Sequence, residues 1–423
     1  MKVALVASSY LPERGRLERR IDELARGLAK RGAEVEILTQ GPAQLVPEHR
    51  EGVIIRRFPT VAGPLRFPSA PRLRERLRAA SPPFDVVDVH TRQLSLAMAV
   101  ASTRVHPLVL TPSAPLDAFT NWRHAGTMRA VVGAAAQIVC PSEFERDVVC
   151  RIVPDARHRT QVLPDGVDAA ALRAAKPFDS DDVVVLAVDR LEHATGVGRA
   201  IAAMPSLDPE FRLVVVGDGP ARARLSAFAV DLRISSRVRF VGAISDELLF
   251  RWLRTARVVV ALPCDRGSGS LVTEARVAGV AVVASDLPVH RQAADRPGLG
   301  PVVFVAPRGS PLDVADAIEE AARLPMSSSA ALLPSSARSW ESVIDSTWRL
   351  YRGLVGLAVD SEPETAMSEV VDLTPQLPAG RPSRVEAVIS GGTQPGAEQD
   401  NGRMWWHSRR RFDDRINGAR RWP

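Results

Sequence analysis

The stretch Cys264–Gly279, CDRGSGSLVTEARVAG, lies between the apolar runs RVVVALP and VAVVAS. It reads as strand, glycine-rich loop, helix and strand. Such a loop brings backbone N–H groups and the positive end of a helix dipole to one point, an arrangement suited to holding a phosphate. Gly267 and Gly269 would admit backbone contacts to that anion, and Arg266 adds a cation to the same loop. Phosphate binding is therefore the chemistry to expect here. Arg266 has two readings: it faces the anion, or it points into solvent.

Weaker signals are set against it. Asp179-Ser-Asp181 has the spacing of an acidic metal pair, but it precedes a strand in a polar linker and reads as a turn. Gly217-Asp-Gly219 lacks the third glycine of a dinucleotide fingerprint and reads as a tight turn after a buried strand. Cys264 ends a strand with no histidine partner placed near it, so it reads as a small buried filler. With Cys140 and Cys150 it makes three cysteines, too few and too scattered for a disulfide framework or a zinc site. Trp122 and His124, in FTNWRHAG, fall in a polar loop whose direction nothing fixes.

These residues need a frame, and the apolar runs supply it. KVALVAS at the start suits a buried parallel strand better than a cleavable signal. A loop containing Arg14-Gly15 follows, then a helix with Leu17, Ile21, Leu24 and Leu28 on one face, stopped at Gly32. EVEILTQ closes a βαβ unit. DVVDVH (85–90), PLVLT (107–111) and AQIVCPS (136–142) continue the series. A second series runs through DDVVVLAVDR (181–190), RLVVVGDG (212–219), RVRFVGA (237–243), RVVVALP (257–263), VAVVAS (280–285) and VVFVAP. The expected fold is α/β with two Rossmann-like doubly wound domains. SWESVIDSTWRLYRGL (339–354) is a terminal amphipathic helix.

At 423 residues the chain has room for two domains. Hydrophobic residues make up 45% and charged residues 25%, as in ordinary globular proteins. No apolar run approaches the roughly eighteen residues of a membrane span. The net charge of +6 comes from arginine, since Lys2, Lys30 and Lys176 are the only lysines. The arginines are interleaved with acids along helices, which argues against nucleic acid as a partner. The sparse cysteines fit a reducing cytoplasm.

Beyond about Gly356 the composition turns to Pro, Gly, Ser and acids, which reads as disordered linker. It ends in RMWWHSRRRFDDRINGARRWP, with seven Arg against two Asp. That end is either a plain disordered basic terminus or an anchor for a partner protein or an anionic membrane surface.

Several segments resemble, in order and spacing, the family 4 glycosyltransferases of GT-B fold. They are VDRLEHATGVGRAI, VVVGDGPARARL, RVRFVGAISDELL and GSLVTEARVAGVAVVASD, preceded by LERRIDELARGLAKRGAEVEILTQ, FDVVDVH, VVCPSEFERDVV and LPDGVD. The resemblance spans roughly residues 1–355. It implies two domains facing across a cleft, with a nucleoside-diphosphate sugar as donor substrate, no other cofactor and no metal. It implies transfer of the sugar to an acceptor, with retention of configuration.

By the same resemblance Arg190 stabilises the leaving diphosphate, Glu274 binds the nucleotide ribose and His90 lines the sugar pocket. Gly267, Gly269 and Gly15 belong to the phosphate loops. His193, beside Arg190, is either a further diphosphate contact or a surface residue. The chain departs from the family at three places. The lysine expected five residues after Arg190 is Thr195, the glutamate expected eight before Glu274 is Arg266, and the paired glycines of the first loop are Arg14-Gly15. A cation lost at 195 and one gained at 266 suggest compensation; the competing reading is a decayed site.

The expected organisation is an acceptor-side domain over 1–170 and a nucleotide-sugar domain over 171–340. A helix over 341–357 crosses back to the first domain, and a disordered tail spans 358–423. The expected function is a cytoplasmic retaining glycosyltransferase, peripheral to the inner membrane face if the tail anchors it. The competing class is a glycosyltransferase-like protein that binds a nucleotide or a partner without turnover.

Overall fold

Two parallel sheets organise the chain in the computed structural model. It describes residues 1–42, 46–59, 61–62, 68–69, 71–91, 93–104, 107–112, 125–192, 196–264, 268–295, 299–326 and 339–357. Arg266, Gly267, Thr195, His193, Trp122, His124 and the expected tail over 358–423 lie outside the described residues.

The first sheet runs, in spatial order, Thr160–Val162, Gln137–Cys140, Leu108–Pro112, Val86–Thr91, Lys2–Ala7, Glu34–Gln40, Val53–Phe58 and Glu48–Arg50. All its pairings are parallel except the edge pairing of Glu48–Arg50 with Val53–Phe58. Its central strand buries both faces. Val3 and Leu5 pack with the first helix, Arg16–Lys30, while Ala4 and Val6 pack on the opposite side. That two-residue alternation is the pleat, and burial on both faces is why the run reads as continuously apolar.

The second sheet has six strands in the order Val238–Gly242, Phe211–Val216, Val183–Val188, Val258–Ala261, Ala281–Ser285 and Val302–Val305, all parallel. Chain order reverses between Val183–Val188 and Val258–Ala261. The corresponding reversal in the first sheet falls between Lys2–Ala7 and Val86–Thr91. In open α/β sheets a crevice forms at such a switch point, beyond the carboxyl ends of the strands. Arg190 follows one switch strand of the second sheet, and the 264–269 loop follows the other.

The helix Trp340–Leu354 comes after the second sheet in sequence yet packs on the first. Trp340, Val343, Ile344 and Tyr351 are buried in the same cluster as Leu17, Ile21, Leu24 and Leu28. A Cβ on Gly27 would stand 2.7 and 2.8 Å from Ile344 Cγ1 and Cγ2, so only glycine lets the two helices approach this closely. Tyr351 Oη also donates to Asp88 at 2.5 Å, beneath the end of a switch strand. Among the described residues no helix is long and apolar enough to cross a membrane.

Candidate functional site

Arg190 stands two residues beyond the strand Val183–Val188. The turn that carries it is braced by Gly217, at φ 121°, where a Cβ would meet the Asp189 carbonyl group. The Gly217-Asp-Gly219 turn is therefore a support for the Arg190 loop. The Arg190 guanidinium reaches across the cleft to the first helix, where Nη2 lies 3.0 and 3.1 Å from the two carboxylate oxygens of Glu18. Glu18 is fully buried and also accepts from the Ser9 hydroxyl. Burial alone would raise its pKa, but the Ser9 hydrogen bond and the Arg190 charge hold it below the ordinary carboxylate range. Gly15 lies against this pair: a Cβ there would stand 2.6 Å from Glu18 Oε2 and 2.7 Å from Arg190 Nη2.

Glu274 lies one helical turn inside Ser270–Val277, the helix that follows the glycine-rich loop. Gly269 precedes that helix, packed so that a Cβ would stand 2.9 Å from Ala293 Cβ. Ser270 and Glu274 are four residues apart and share the face turned to the first domain. Arg19 Nη1 donates to Glu274 at 2.8 Å, and Arg19 Nε lies 3.4 Å from Asp246. The same guanidinium stacks over Phe250, 5.2 Å from the ring centroid. Burial raises the Glu274 pKa, with the Arg19 charge opposing it.

Asp165, from LPDGVD, ties the two groups together. It accepts from Arg20 Nη1 at 2.5 Å, Arg16 Nη1 at 3.1 Å and Ser270 Oγ at 3.2 Å. Burial opposes its ionisation, but the two guanidinium groups prevail and its pKa is lowered. Arg16, Asp165, Ser270, Thr273 and Glu274 bound a cavity of about 70 Å³ between the domains. Glu145 also faces it, with its pKa raised by burial.

His90 is the penultimate residue of the Val86–Thr91 strand and is 1% exposed. Its Nε2 lies 3.1 Å from Asp88 Oδ2, and Asp88 accepts from Thr111 and Tyr351. His90 thus stands under the first sheet's switch point, as part of a buried polar group. Asp189 is a further perturbed acid near the cleft. Burial pushes its carboxyl up to about 6, against backbone hydrogen bonds from Arg190 and Gly196. The Asp179-Ser-Asp181 segment is exposed. Cys264 is half-buried and unpaired by disulfide.

The tertiary structure sets Arg190 and Gly15 against Glu18, and Glu274 and Gly269 at the cavity beside Arg16 and Asp165. Both groups thus meet the first helix through four residues that periodicity did not single out: Arg16, Glu18, Arg19 and Asp165. The helix pattern reads Glu18 and Arg19 as polar surface. Their position directly after the first βα loop was the available signal, because that turn points into the crevice.

Two family models cover most of the described chain: "Glycosyltransferase Family 4" over residues 17–171 and "Glycosyl transferases group 1" over 168–333. A D-inositol 3-phosphate glycosyltransferase of Acidothermus cellulolyticus is 27% identical over 342 residues, 67% of this chain and 75% of the relative. A phosphatidyl-myo-inositol mannosyltransferase of Mycolicibacterium smegmatis is 27% identical over 315 residues, 69% and 78% of the two chains. Among solved structures, sucrose-phosphate synthase of Thermosynechococcus elongatus superposes with a TM-score of 0.68 at 20% identity, over 84% of this chain and 99% of that one. Anabaena HepE in complex with UDP-glucose gives 0.66 at 16% identity, over 84% and 100%. The fold they share is GT-B.

Proposed function

The chain belongs to the family 4 glycosyltransferases, and from that premise we propose that it moves a sugar from a nucleoside-diphosphate donor to an acceptor hydroxyl, with retention and without a metal. The observation that carries this reading is the convergence of Arg190 and Glu274 on one cleft from either side of the second sheet's switch point.

In that reading the bond between the anomeric carbon and the diphosphate oxygen breaks while the acceptor oxygen bonds to the same carbon from the same face. The acceptor proton passes to the departing phosphate oxygen. The protein's task is to stabilise the charge that develops on the diphosphate and to orient the acceptor. Arg190 supplies a guanidinium matched to phosphate oxygens. The helix Ser270–Val277 adds its N-terminal N–H groups and dipole, and Glu274 accepts from the ribose hydroxyls. His90, with Asp88 3.1 Å from its Nε2, would line the floor of the sugar pocket. The names of the relatives make a phosphorylated inositol the first acceptor to assay.

A second reading, binding of a nucleotide without transfer, has its own support. The family lysine is absent at Thr195, and both Arg190 and Glu274 are engaged by charges of the first helix. The experiment is incubation with UDP-, GDP- and ADP-sugars, with and without inositol phosphate and with a chelator present. Release of diphosphate and an acceptor product of unchanged anomeric configuration support the enzyme. Nucleotide binding with no release from any donor sinks it in favour of the second reading. Loss of turnover on chelation removes metal independence.

A further inference from the structure

Glu18 and Arg19 are consecutive residues in the first turn of the first helix, and each lies on one of the two residues assigned above to the donor. Glu18 places both carboxylate oxygens within 3.0 and 3.1 Å of Arg190 Nη2. Arg19 places Nη1 2.8 Å from Glu274. A guanidinium meets a carboxylate and a phosphate through the same planar pattern of N–H donors. The Glu18 carboxylate, with both oxygens on Arg190 Nη2, therefore occupies donors that phosphate oxygens would use. Its other anchor is the Ser9 hydroxyl, and solvent does not reach it. The fit is close, because Gly15 leaves no space for a side-chain carbon between the pair and the backbone.

We propose that Glu18 is an affinity-setting residue of the donor site, an internal competitor whose carboxylate holds Arg190 until a nucleoside diphosphate displaces it. This rests on the assignment of Arg190 and Glu274 to the donor. Arg19, the next residue on the helix, holds Glu274 in a separate pair, which the ribose would displace in its own right. The apparent donor affinity is then the intrinsic one reduced by the fraction of protein in which Arg190 is free. A diphosphate, with several negative charges, competes with one carboxylate; an uncharged nucleoside does not. After transfer, return of Glu18 to Arg190 favours departure of the diphosphate product.

The competing role for Glu18 is positioning, in which it holds Arg190 ready for the phosphates. The two roles differ in sign. The test is calorimetric titration of the full chain with UDP, GDP, ADP and the matching nucleosides, for wild type, Glu18→Gln, Ser9→Ala and Arg190→Ala. Competition requires Glu18→Gln to bind a diphosphate about tenfold more tightly than wild type, with nucleoside affinity unchanged. Ser9→Ala, which loosens Glu18 without removing its charge, shifts affinity in the same direction by less and serves where Glu18→Gln folds poorly. Weaker or unchanged diphosphate binding in both variants overturns competition. If Arg190→Ala binds diphosphate as well as wild type does, the donor assignment fails instead. If neither wild type nor Glu18→Gln binds any of the three diphosphates, the proposal and the assignment fall together.

Discussion

Arg19 and Glu274 stand 255 positions apart in the chain and 2.8 Å apart in space. One comes from the first helix of the first sheet, the other from the helix that follows the glycine-rich loop of the second. With Arg190–Glu18 and Arg16–Asp165 they form a row of ion pairs, and the Arg19 and Arg190 pairs close the cleft between the two sheets. Removing one partner of such a pair costs more than removing one of a surface pair, because it strands a charge whose side chain is shielded from water, as those of Glu18, Asp165 and Glu274 are.

The two donor residues should separate by ligand. Arg190→Ala is expected to weaken nucleoside diphosphate binding about ten- to a hundredfold and leave the nucleoside unaffected, since a charge-assisted hydrogen bond is worth roughly 1.5–3 kcal/mol. Glu274→Gln is expected to weaken nucleoside and nucleoside diphosphate by equal factors. Titration of both ligands against both variants checks this; an equal loss for both ligands in Arg190→Ala removes it from the phosphates.

Asp165 holds two arginines, of which Arg20 is 5% exposed. Asp165→Ala leaves that guanidinium buried with less charge opposite it, and breaking such a pair costs about 3–5 kcal/mol. Asp165→Asn retains an acceptor oxygen and should cost less. Urea unfolding of the two variants measures the difference; a loss below about 1 kcal/mol for the alanine variant would mean that water replaces the carboxylate.

Asp189 gives the fold a pH signature. Its folded pKa is raised from 3.8 to about 6, so the native state favours the protonated acid. Between about pH 4 and 6 the native state binds more protons than the unfolded chain, and this residue's contribution to stability falls as pH rises. Above that window the full penalty stands, on the order of 3 kcal/mol. Asp189→Asn, which keeps an acceptor for the Arg190 and Gly196 N–H groups, should be more stable than wild type at pH 7.5 and flatten the profile from pH 4 to 6. Equal slopes in wild type and variant would refute the assignment.

Gly27 and Ile344 should be coupled. Gly27→Ala gains about 1 kcal/mol of helix propensity but presses a methyl group into Ile344, a strain of about 1–3 kcal/mol. In an Ile344→Ala background the strain disappears and the propensity gain remains. A double-mutant cycle by thermal or urea unfolding reads the coupling. Additive effects would mean that the Trp340–Leu354 helix shifts freely along the first helix.

Local pattern carried the fold a long way. EVEILTQ spans Glu34–Gln40, and the second-series runs each contain a strand, because parallel strands buried on both faces are continuously apolar. Val53–Phe58 escaped that reading. Its Arg56 and Arg57 break the apolar run, and they are tolerated because Glu36 and Glu48, on neighbouring strands, pair with them. The stripe of Leu17, Ile21, Leu24 and Leu28 was legible for the same reason as the strands: it records one covering surface with a fixed period.

The sequence by itself therefore determined most of the segments that become strands and helices, and through its ordered motifs it pointed to Arg190, Glu274 and the glycine-rich loop. Only the tertiary structure decided what faces them. Glu18 and Arg19 lie off the apolar stripe and look like solvated charge, yet the first is 0% exposed, because the second domain supplies a further covering surface. Hydrophobic period encodes the burial of apolar faces. It carries no term for a polar face that is buried by opposite charges brought from more than 170 residues away.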